Sequence, residues 1–380
     1  MSSLFEDEFE EIEDEFSSFD EGSMSSASVQ GLLAPRESDL FLSHTQIEQR
    51  LLQLMKAGKM PHGMVFRGAK GIGKATFAYR LTRFLFKYGG QANADAGLFG
   101  EAAPPVWPDT MDVPRDDPVF RRVASGGHPD FMALEPAEDK KGLDVEQVRA
   151  LIPFLRRTAS DGGWRVVIID DADTMNRNAQ NALLKILEEP PANTALILIA
   201  NNTSAFLPTV RSRCRMFDFK PLDQDSFTQL IQRYNPTIMS AEINQLYDMC
   251  AGSVGAAIHF HDTDGLALFT EWESLVGTYP SFNYEAIHSF SNKFSSSGQD
   301  QSWLIFQRNV IWAVESLAMM KARGQSVPTI LQPLIGFMEQ CTLDRLMKIC
   351  DDLKAHFAQA EYGNLDKRQV ALESFMLMEP

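Results

Sequence analysis

The sequence predicts an α/β domain with a doubly wound parallel sheet, followed by two all-helical regions. Three observations indicate this architecture. A short apolar run, a glycine-rich turn and a helical pattern follow one another within residues 64–85. Two later runs, 166–169 and 195–200, are continuously apolar, as strands covered by helices on both faces are. After Pro221 the strand signals stop, whereas helical periodicity continues to the end of the chain.

Length and composition agree with several soluble globular domains. The chain has 380 residues, of which 44% are hydrophobic and 23% are charged. Such a chain can form two or three domains, each with its own core. We expect the α/β domain to span 36–220, a small helical lid domain to span 221–275, and a larger helical domain to span 276–380.

Residues 1–35 precede these domains and are predicted to be a disordered acidic tail. They hold ten acidic residues and no Lys or Arg, with four phenylalanines among the acids. The tail either solvates the protein, which we favour, or docks through its aromatic residues on a basic groove and competes with DNA there. Without the tail the chain has 35 basic and 41 acidic residues. This balance argues against charge-driven nucleic-acid binding by the chain alone.

The sequence has the features of a cytoplasmic protein. It begins without the basic and apolar segments of a signal peptide, and no apolar run approaches the length of a membrane span. No membrane partner is therefore expected. The cysteines form no C-x-x-C pair and have no histidine at metal spacing, which predicts reduced thiols. They are Cys214, Cys250, Cys341 and Cys350.

The first half of the α/β domain surrounds the glycine-rich turn. We expect an amphipathic helix over 39–59 and, after the turn and its helix, a surface insertion without clear periodicity over 88–128. A short strand over 131–134 and a helix over 144–157 then follow.

The second half of the domain alternates strands with helices. Residues 165–171 are predicted to be a buried strand ending in carboxylates, and 176–189 a helix stopped by two prolines. A second buried strand follows at 195–200 and a strand nearer the sheet edge at 215–219. Because strands joined through helices run parallel, this order predicts the doubly wound sheet.

Two apolar stripes at helical spacing mark the C-terminal region, and we expect them to be core or subunit-interface faces. One helix is predicted to end near Gly324, and Thr342 is a suitable cap for the next helix. The first stripe comprises Trp303, Phe306, Val310, Val314 and Leu317. The second comprises Leu343, Leu346, Met347, Cys350, Leu353 and Phe357.

The turn at 68–75 carries the strongest chemical signal in the chain. It reads G-A-K-G-I-G-K-A and matches the phosphate-binding loop G-x-x-x-x-G-K-S/T at every fixed position except the last. Free backbone N–H groups and the following helix dipole favour phosphate, and the lysine adds positive charge beside the β- and γ-phosphates. The candidate nucleotide-binding residues of this loop are Gly68, Gly71, Gly73 and Lys74.

The metal site that accompanies such a loop is predicted to be weakened. Ala75 stands where a hydroxyl normally helps to hold Mg²⁺, and Thr76, rotated by roughly 100° about the helix axis, is a poor substitute. Asp170 ends a central strand and is the candidate metal-directing acid, with Asp171 beside it. The alternative is that these acids merely end a strand. ATP or ADP with Mg²⁺ is therefore a possible cofactor rather than a certain one.

An arginine precedes the predicted edge strand, in the run Ser212-Arg213-Cys214. An exposed arginine at the mouth of an α/β sheet can be a solvated charge. It can also be an arginine finger that reaches the γ-phosphate of a neighbouring subunit, since guanidinium geometry suits the transferring group. The spacing alone leaves both interpretations open.

Together these segments resemble the clamp-loader subunits of bacterial DNA polymerase III, which belong to the AAA+ class. The resemblance rests on the loop at 68–74, the strand at 166–171, the run N-A-L-L-K-x-L-E-E-P-P at 181–191, and S-R-C at 212–214. It covers residues 40–220 strongly, and the helical regions by size and order. It implies a RecA-like AAA+ P-loop domain, a helical lid domain and an all-α C-terminal collar.

Several departures place the chain nearer to the stator-like branch of this family than to its ATP-hydrolysing gamma/tau subunit. Ala75 stands where the motor subunit has Thr, and Asp171 stands where it has a water-orienting Glu. Gly255 replaces the motor's nucleotide-sensing arginine. Many members carry a four-cysteine zinc module after the P-loop helix, but the insertion at 88–128 has no cysteine, so we expect no zinc.

The resemblance also implies a role for each candidate residue. Arg213 becomes a catalytic arginine finger for the ATP site of a gamma/tau neighbour, and intrinsic hydrolysis is expected to be very slow or absent. The implied partners are the gamma/tau and delta subunits, the sliding clamp and primer–template DNA. Arg149, Arg156 and Arg157 could contact DNA phosphates, although solvated helix charge explains each of them as well.

The rival interpretation is a AAA+ subunit that hydrolyses its own ATP, with Thr76 and Asp171 as adequate substitutes. The retained Lys74 favours this rival, because a fully decayed site has no reason to keep that lysine.

Overall fold

The computed structural model describes residues 34–90, 107–136, 142–157, 159–160, 163–295, 300–363 and 365–379. The acidic tail predicted to be disordered lies outside these ranges except for residues 34 and 35, and residues 91–106 of the predicted insertion lie outside them as well. The chain divides into two compact units. One comprises Met1–Leu230 with Ser253–Gly255, and the other comprises Ile231–Gly252 with Ala256–Pro380. The domain boundaries expected near residues 220 and 275 stay predictions.

A five-stranded sheet forms the centre of the first unit. Its strands are β1 (Gly63–Arg67), β2 (Phe131–Leu134), β3 (Arg165–Ile169), β4 (Thr194–Ala200) and β5 (Arg215–Asp218). They lie in the order β2-β3-β4-β1-β5, and every neighbouring pair is parallel. The predicted doubly wound parallel sheet is confirmed.

The burial of each strand follows its place in the sheet. Every residue of β3 and β4 is buried, as their continuous apolar runs predict. The edge strand β5 has exposed residues at both ends and one buried residue. Because the strands are parallel, the residues that follow β1, β3 and β4 meet at one edge of the sheet, where α/β proteins place their ligands.

Helices pack around this sheet. They are α1 (Thr45–Lys56), α2 (Lys74–Tyr88), α3 (Pro118–Ala124), α4 (Val145–Arg156), α5 (Arg177–Glu188) and α6 (Pro208–Arg211). The next helix, α7 (Gln224–Tyr234), begins in the first unit and ends in the second. Asp144 and Gln147 form a capping box at the start of α4, and Asn176 caps α5. The helix predicted from residue 39 begins only at Thr45, because His44 adopts a left-handed backbone conformation with φ of 62°.

The described part of the insertion is more ordered than its lack of periodicity suggests. It contains α3, whose first turn is capped by the Asp117 carboxylate. Phe120 is buried beneath the guanidinium of Arg83, which lies 4.1 Å from the ring centroid. Trp107 stacks on Phe84 of α2, with ring centroids 5.7 Å apart. The buried residues of this segment, which include Phe120 and Val123, therefore belong to the core of the first unit.

The described residues of the second unit are helical. Its helices are α8 (Ser240–Cys250), α9 (Val254–Asp262, whose first two residues belong to the first unit), α10 (Gly265–Val276), α11 (Tyr284–Ser291), α12 (Asp300–Arg323), α13 (Ile335–Gln340), α14 (Leu343–Gly363) and α15 (Lys367–Leu377). The stripe predicted on α12 is buried throughout. On α14 the predicted stripe is buried in part, but Met347 is 55% exposed and Ile349 is buried instead. No helix in the described ranges is long and apolar enough to cross a membrane.

Candidate functional site

The glycine-rich loop connects β1 to α2, as predicted. Gly68, Gly71 and Gly73 have φ values of 145°, 78° and 95°, a region that favours glycine. Gly68 is also closely packed, since a Cβ atom there would lie 2.3 Å from the carbonyl oxygen of Phe219. The loop conformation therefore requires glycine at these positions, and it delivers the first turn of α2 to the carboxyl edge of the sheet.

Lys74 is buried at the start of α2, with 4% of its surface exposed. Its ammonium donates hydrogen bonds to the carbonyl oxygens of Gly68 and Ala69, each at 2.6 Å, and to the side-chain oxygen of Asn201 at 2.8 Å. Burial lowers the pKa of Lys74 to about 8, although the charges of Asp170 and Asp171 oppose that change. The loop thus holds a cation where a nucleotide phosphate would bind.

The predicted acids lie beside this lysine, at the end of β3. Burial and the neighbouring charge of Asp171 raise the pKa of Asp170 to about 7. Asp171 has a φ of 44° and accepts a hydrogen bond from the amide nitrogen of Asn201 at 3.3 Å. The Asp173 carboxylate accepts hydrogen bonds from the backbone N–H groups of Asn201 and Asn202, at 3.1 and 2.8 Å. The structure therefore brings the loop and these carboxylates together.

Asn201 is a site residue that sequence analysis did not identify. It follows β4, which lies between β3 and β1, so its side chain can reach both Asp171 and Lys74. The available signal was a pair of polar residues directly after a fully buried strand. That signal becomes informative only when the strand order is known.

The loop suits nucleotide phosphates better than it suits a magnesium ion. Ala75 offers a methyl group where a hydroxyl ligand is expected, and Thr76 lines a crevice with Ser38, Asp39 and Arg80. Among the described residues, no group of three or more His, Cys, Asp or Glu side chains is placed to hold a metal ion.

Arg213 lies at the amino ends of the parallel strands, whereas the loop lies at their carboxyl ends. It precedes β5, whose Arg215 is the register partner of Met64 near the start of β1, whereas the loop follows Arg67 at the end of β1. A rise of about 3.3 Å per residue separates the two positions by roughly 15–20 Å along the strands. The structure therefore does not bring Arg213 to this chain's own loop.

The Arg213 side chain is about one-third exposed, at 36%, and is held by local partners. Its Nη2 atom lies 2.8 Å from Glu188 Oε1, and its Nη1 atom donates to the carbonyl oxygen of Thr209 at 3.0 Å. Glu188 is the last residue of α5 and belongs to the run at 181–191 that carries the family resemblance. Glu188 is therefore a partner of Arg213 that sequence analysis did not identify.

Comparisons with known proteins agree with this architecture. A family model described as "DNA polymerase III, delta subunit" matches residues 112–223. The subunit delta′ of DNA polymerase III from Pseudomonas aeruginosa is 39% identical over 162 residues, which are 43% of this chain and 44% of that protein. The Escherichia coli subunit delta′ is 29% identical over 223 residues, or 57% and 59% of the two chains. The chain is thus similar to delta-prime subunits of DNA polymerase III over about half of its length.

More distant proteins are also similar to this chain. A replication factor C small subunit from Pyrobaculum aerophilum is 28% identical over 59% of this chain and 58% of its own length. A solved structure of a DNA polymerase III gamma-subunit-related protein from Thermotoga maritima aligns with 86% of this chain and 98% of its own, at 13% identity and a TM-score of 0.40. The chain spans about half the length of the delta-prime relatives it matches.

The outer side of the loop is covered by Ser253–Gly255, which belong to the first unit. The Ser253 hydroxyl donates to the Lys70 carbonyl oxygen at 2.7 Å, and the Gly255 N–H donates to the Gly71 carbonyl oxygen at 3.1 Å. A Cβ atom on Gly255 would lie only 2.9 Å from the Gly71 Cα atom. The glycine that departs from the motor members of the family is thus required by a backbone-to-backbone contact.

The three arginines predicted as DNA contacts lie on or directly after α4, and all are exposed. Arg156 and Arg157 line a shallow surface groove with Ile152 and Pro153. Their exposure is compatible with both interpretations, a solvated helix face and a contact to phosphates.

Proposed function

We propose that this chain is the delta-prime, stator-like subunit of a DNA polymerase III clamp loader and that it donates Arg213 to the ATP site of a neighbouring gamma/tau subunit. One observation carries the proposal. Arg213 lies at the amino ends of the parallel strands and the chain's own loop lies at their carboxyl ends, too far apart for a single side chain to bridge. The guanidinium can therefore complete only a site on another subunit.

The proposed partners follow from this role. The chain assembles with the gamma/tau and delta subunits in the cytoplasm, and the assembly loads the sliding clamp on primed DNA. Residues 276–380 act as the collar that holds the subunits together. The exposed Arg149, Arg156 and Arg157 contribute phosphate contacts when primer–template DNA lies in the assembly.

The chain's own loop binds nucleotide phosphates but does not turn ATP over at a useful rate. Lys74 is held in place by the loop carbonyls, which supports phosphate binding. Ala75 supplies no metal ligand, and the raised pKa of Asp170 leaves its carboxyl partly protonated near pH 7. Hydrolysis is therefore expected at the neighbour's site, with this chain as the donor of one arginine.

The test is an Arg213→Ala subunit assembled with its gamma/tau and delta partners. Loss of an arginine finger costs about 10³-fold or more in hydrolysis at the affected site. We expect that loss in single-turnover ATP hydrolysis at the site beside this chain, with assembly unchanged by size-exclusion chromatography. Arg211→Ala, which removes another exposed arginine two positions away, is the matched control. Normal clamp loading by the Arg213→Ala complex would refute the assignment.

The alternative function, a subunit that hydrolyses its own ATP, is favoured by one observation. Lys74 keeps the position of a working P-loop lysine, with three carboxylates around it. Nucleotide binding and turnover by the isolated chain, with and without Mg²⁺ and beside a Lys74→Ala variant, separate the two functions. Mg²⁺-dependent turnover that Lys74→Ala abolishes would establish the alternative. Binding without turnover supports the stator function.

A further inference from the structure

Arg213 forms an ion pair with Glu188 of the same chain. Its Nη2 atom lies 2.8 Å from Glu188 Oε1, and the two side chains are 36% and 48% exposed. The Thr209 carbonyl oxygen accepts a hydrogen bond from Nη1 at 3.0 Å. Two nitrogens of the guanidinium are thus already engaged on the surface where the proposed function requires them to meet phosphate.

The fold fixes Glu188 at this place. The preceding residue, Leu187, accepts a hydrogen bond at its carbonyl oxygen from Nε2 of His62, at 3.0 Å. Leu187 also packs closely on Gly63. A Cβ atom added to Gly63 would lie 2.8 Å from Leu187 Cδ2. These contacts anchor the end of α5 to the start of β1, beside the residues that precede β5. Glu188 is therefore held next to Arg213 by packing that does not depend on the ion pair.

The Glu188 carboxylate competes with a phosphate for the Arg213 guanidinium. A guanidinium binds an anion most strongly through two parallel N–H groups, and one such nitrogen is taken by the carboxylate. A carboxylate that stayed within hydrogen-bond distance would also repel the negative phosphate. The Thr209 carbonyl is neutral and imposes no such repulsion. Opening of the Arg213–Glu188 pair therefore makes the guanidinium more available to a phosphate.

We propose that Glu188 is a positioning residue that holds Arg213 in a resting orientation until a neighbour's phosphoryl group displaces it. The inference rests on the proposed function and adds to it that Glu188 competes with the phosphoryl group for Arg213. The pair is weak enough to be displaced, since exposed ion pairs shift an equilibrium by roughly two- to fivefold. Removing the Glu188 charge should therefore make the arginine more available by that factor, without altering the fold.

The first test uses the isolated full-length chain. Phenylglyoxal modification of Arg213 is followed by peptide mass spectrometry in the native chain, in Glu188→Gln and in Glu189→Gln. Glu189 is the adjacent exposed glutamate, so its variant carries the same charge change as the control. Because phenylglyoxal condenses with the guanidinium nitrogens, one of which contacts Glu188, we expect Glu188→Gln to react roughly two- to fivefold faster. Equal rates in all three chains, or equal acceleration by both variants, would overturn the proposal.

The second test uses the assembled complex and separates this inference from the proposed function. Glu188→Gln should raise single-turnover ATP hydrolysis at the neighbouring site roughly two- to fivefold, whereas the Glu188→Gln/Arg213→Ala chain should match Arg213→Ala. If Arg213→Ala hydrolyses normally, the proposed function is wrong. If Arg213→Ala loses hydrolysis but Glu188→Gln is unchanged or slower, the finger is real and the resting role of Glu188 is wrong.

Discussion

The side-chain oxygen of Asn201 accepts a hydrogen bond from the ammonium of Lys74 at 2.8 Å. The contact joins the end of β4 to the first residue of α2, across the carboxyl edge of the sheet. The same amide group donates to Asp171 at 3.3 Å, so Asn201 connects the lysine to the acid that follows β3. Three segments that are far apart in the chain thereby form one polar network around the loop.

This contact predicts a measurable coupling between Asn201 and Lys74. Asn201→Ala leaves the buried ammonium with one partner fewer, which should lower the free energy of unfolding by about 1.5–3 kcal/mol, the cost of a hydrogen bond to a charged group. In a Lys74→Ala background the same change should cost much less. Urea denaturation of the native chain, the two single variants and the double variant measures this double-mutant cycle. Equal costs of Asn201→Ala in both backgrounds would contradict the coupling.

The raised pKa of Asp170 predicts a pH-dependent loss of stability. A carboxyl whose pKa is about 7 in the folded chain and 3.8 in the unfolded chain binds protons more tightly when folded. Its contribution is fully present below pH 3.8 and is lost as the pH rises through 7. The free energy of unfolding of Asp170→Asn, relative to that of the native chain, should therefore increase by about 2 kcal/mol from pH 5 to pH 8. Urea titrations at both pH values check this, and a pH-independent difference would rule it out.

The contact between Gly255 and Gly71 predicts intolerance to a single methyl group. Gly255→Ala places a Cβ atom 2.9 Å from the Gly71 Cα atom, and backbone atoms there cannot rotate away. We expect a loss of about 1–3 kcal/mol in the free energy of unfolding. Gly336→Ala is the control, because that helical glycine has no atom within 4 Å of its added Cβ, and it should be neutral or stabilising by up to about 1 kcal/mol. Similar thermal stability of the two variants would contradict the close packing.

The packing of the insertion predicts a large effect of a single core truncation. Phe120 is 3% exposed, so Phe120→Ala should cost about 3–5 kcal/mol. Arg122→Ala, on the exposed side of the same helix, should stay within about 0.5 kcal/mol. Differential scanning calorimetry compares the two. A loss of less than 1 kcal/mol for Phe120→Ala would mean that this segment is the surface excursion expected from its sequence.

Much of the fold could be predicted from local patterns. The continuous apolar runs of β3 and β4, the glycines of the loop and the two prolines after α5 each specify a backbone conformation within a few residues. The structure of the insertion was harder to predict, since α3 has only seven residues and buries just two of them. Its order comes from contacts with α2, which no periodicity within the segment records.

The individual parts of the candidate site were visible in the sequence, because glycine, lysine and aspartate at those spacings have few other uses in such a loop. Their assembly was decided by strand order. Placing β4 between β3 and β1 brings Asn201 to Lys74, and placing β5 beside β1 sends Arg213 to the opposite edge, next to Glu188. Strand order depends on which apolar faces pack best across the whole sheet, and such long-range packing leaves no trace in local spacing.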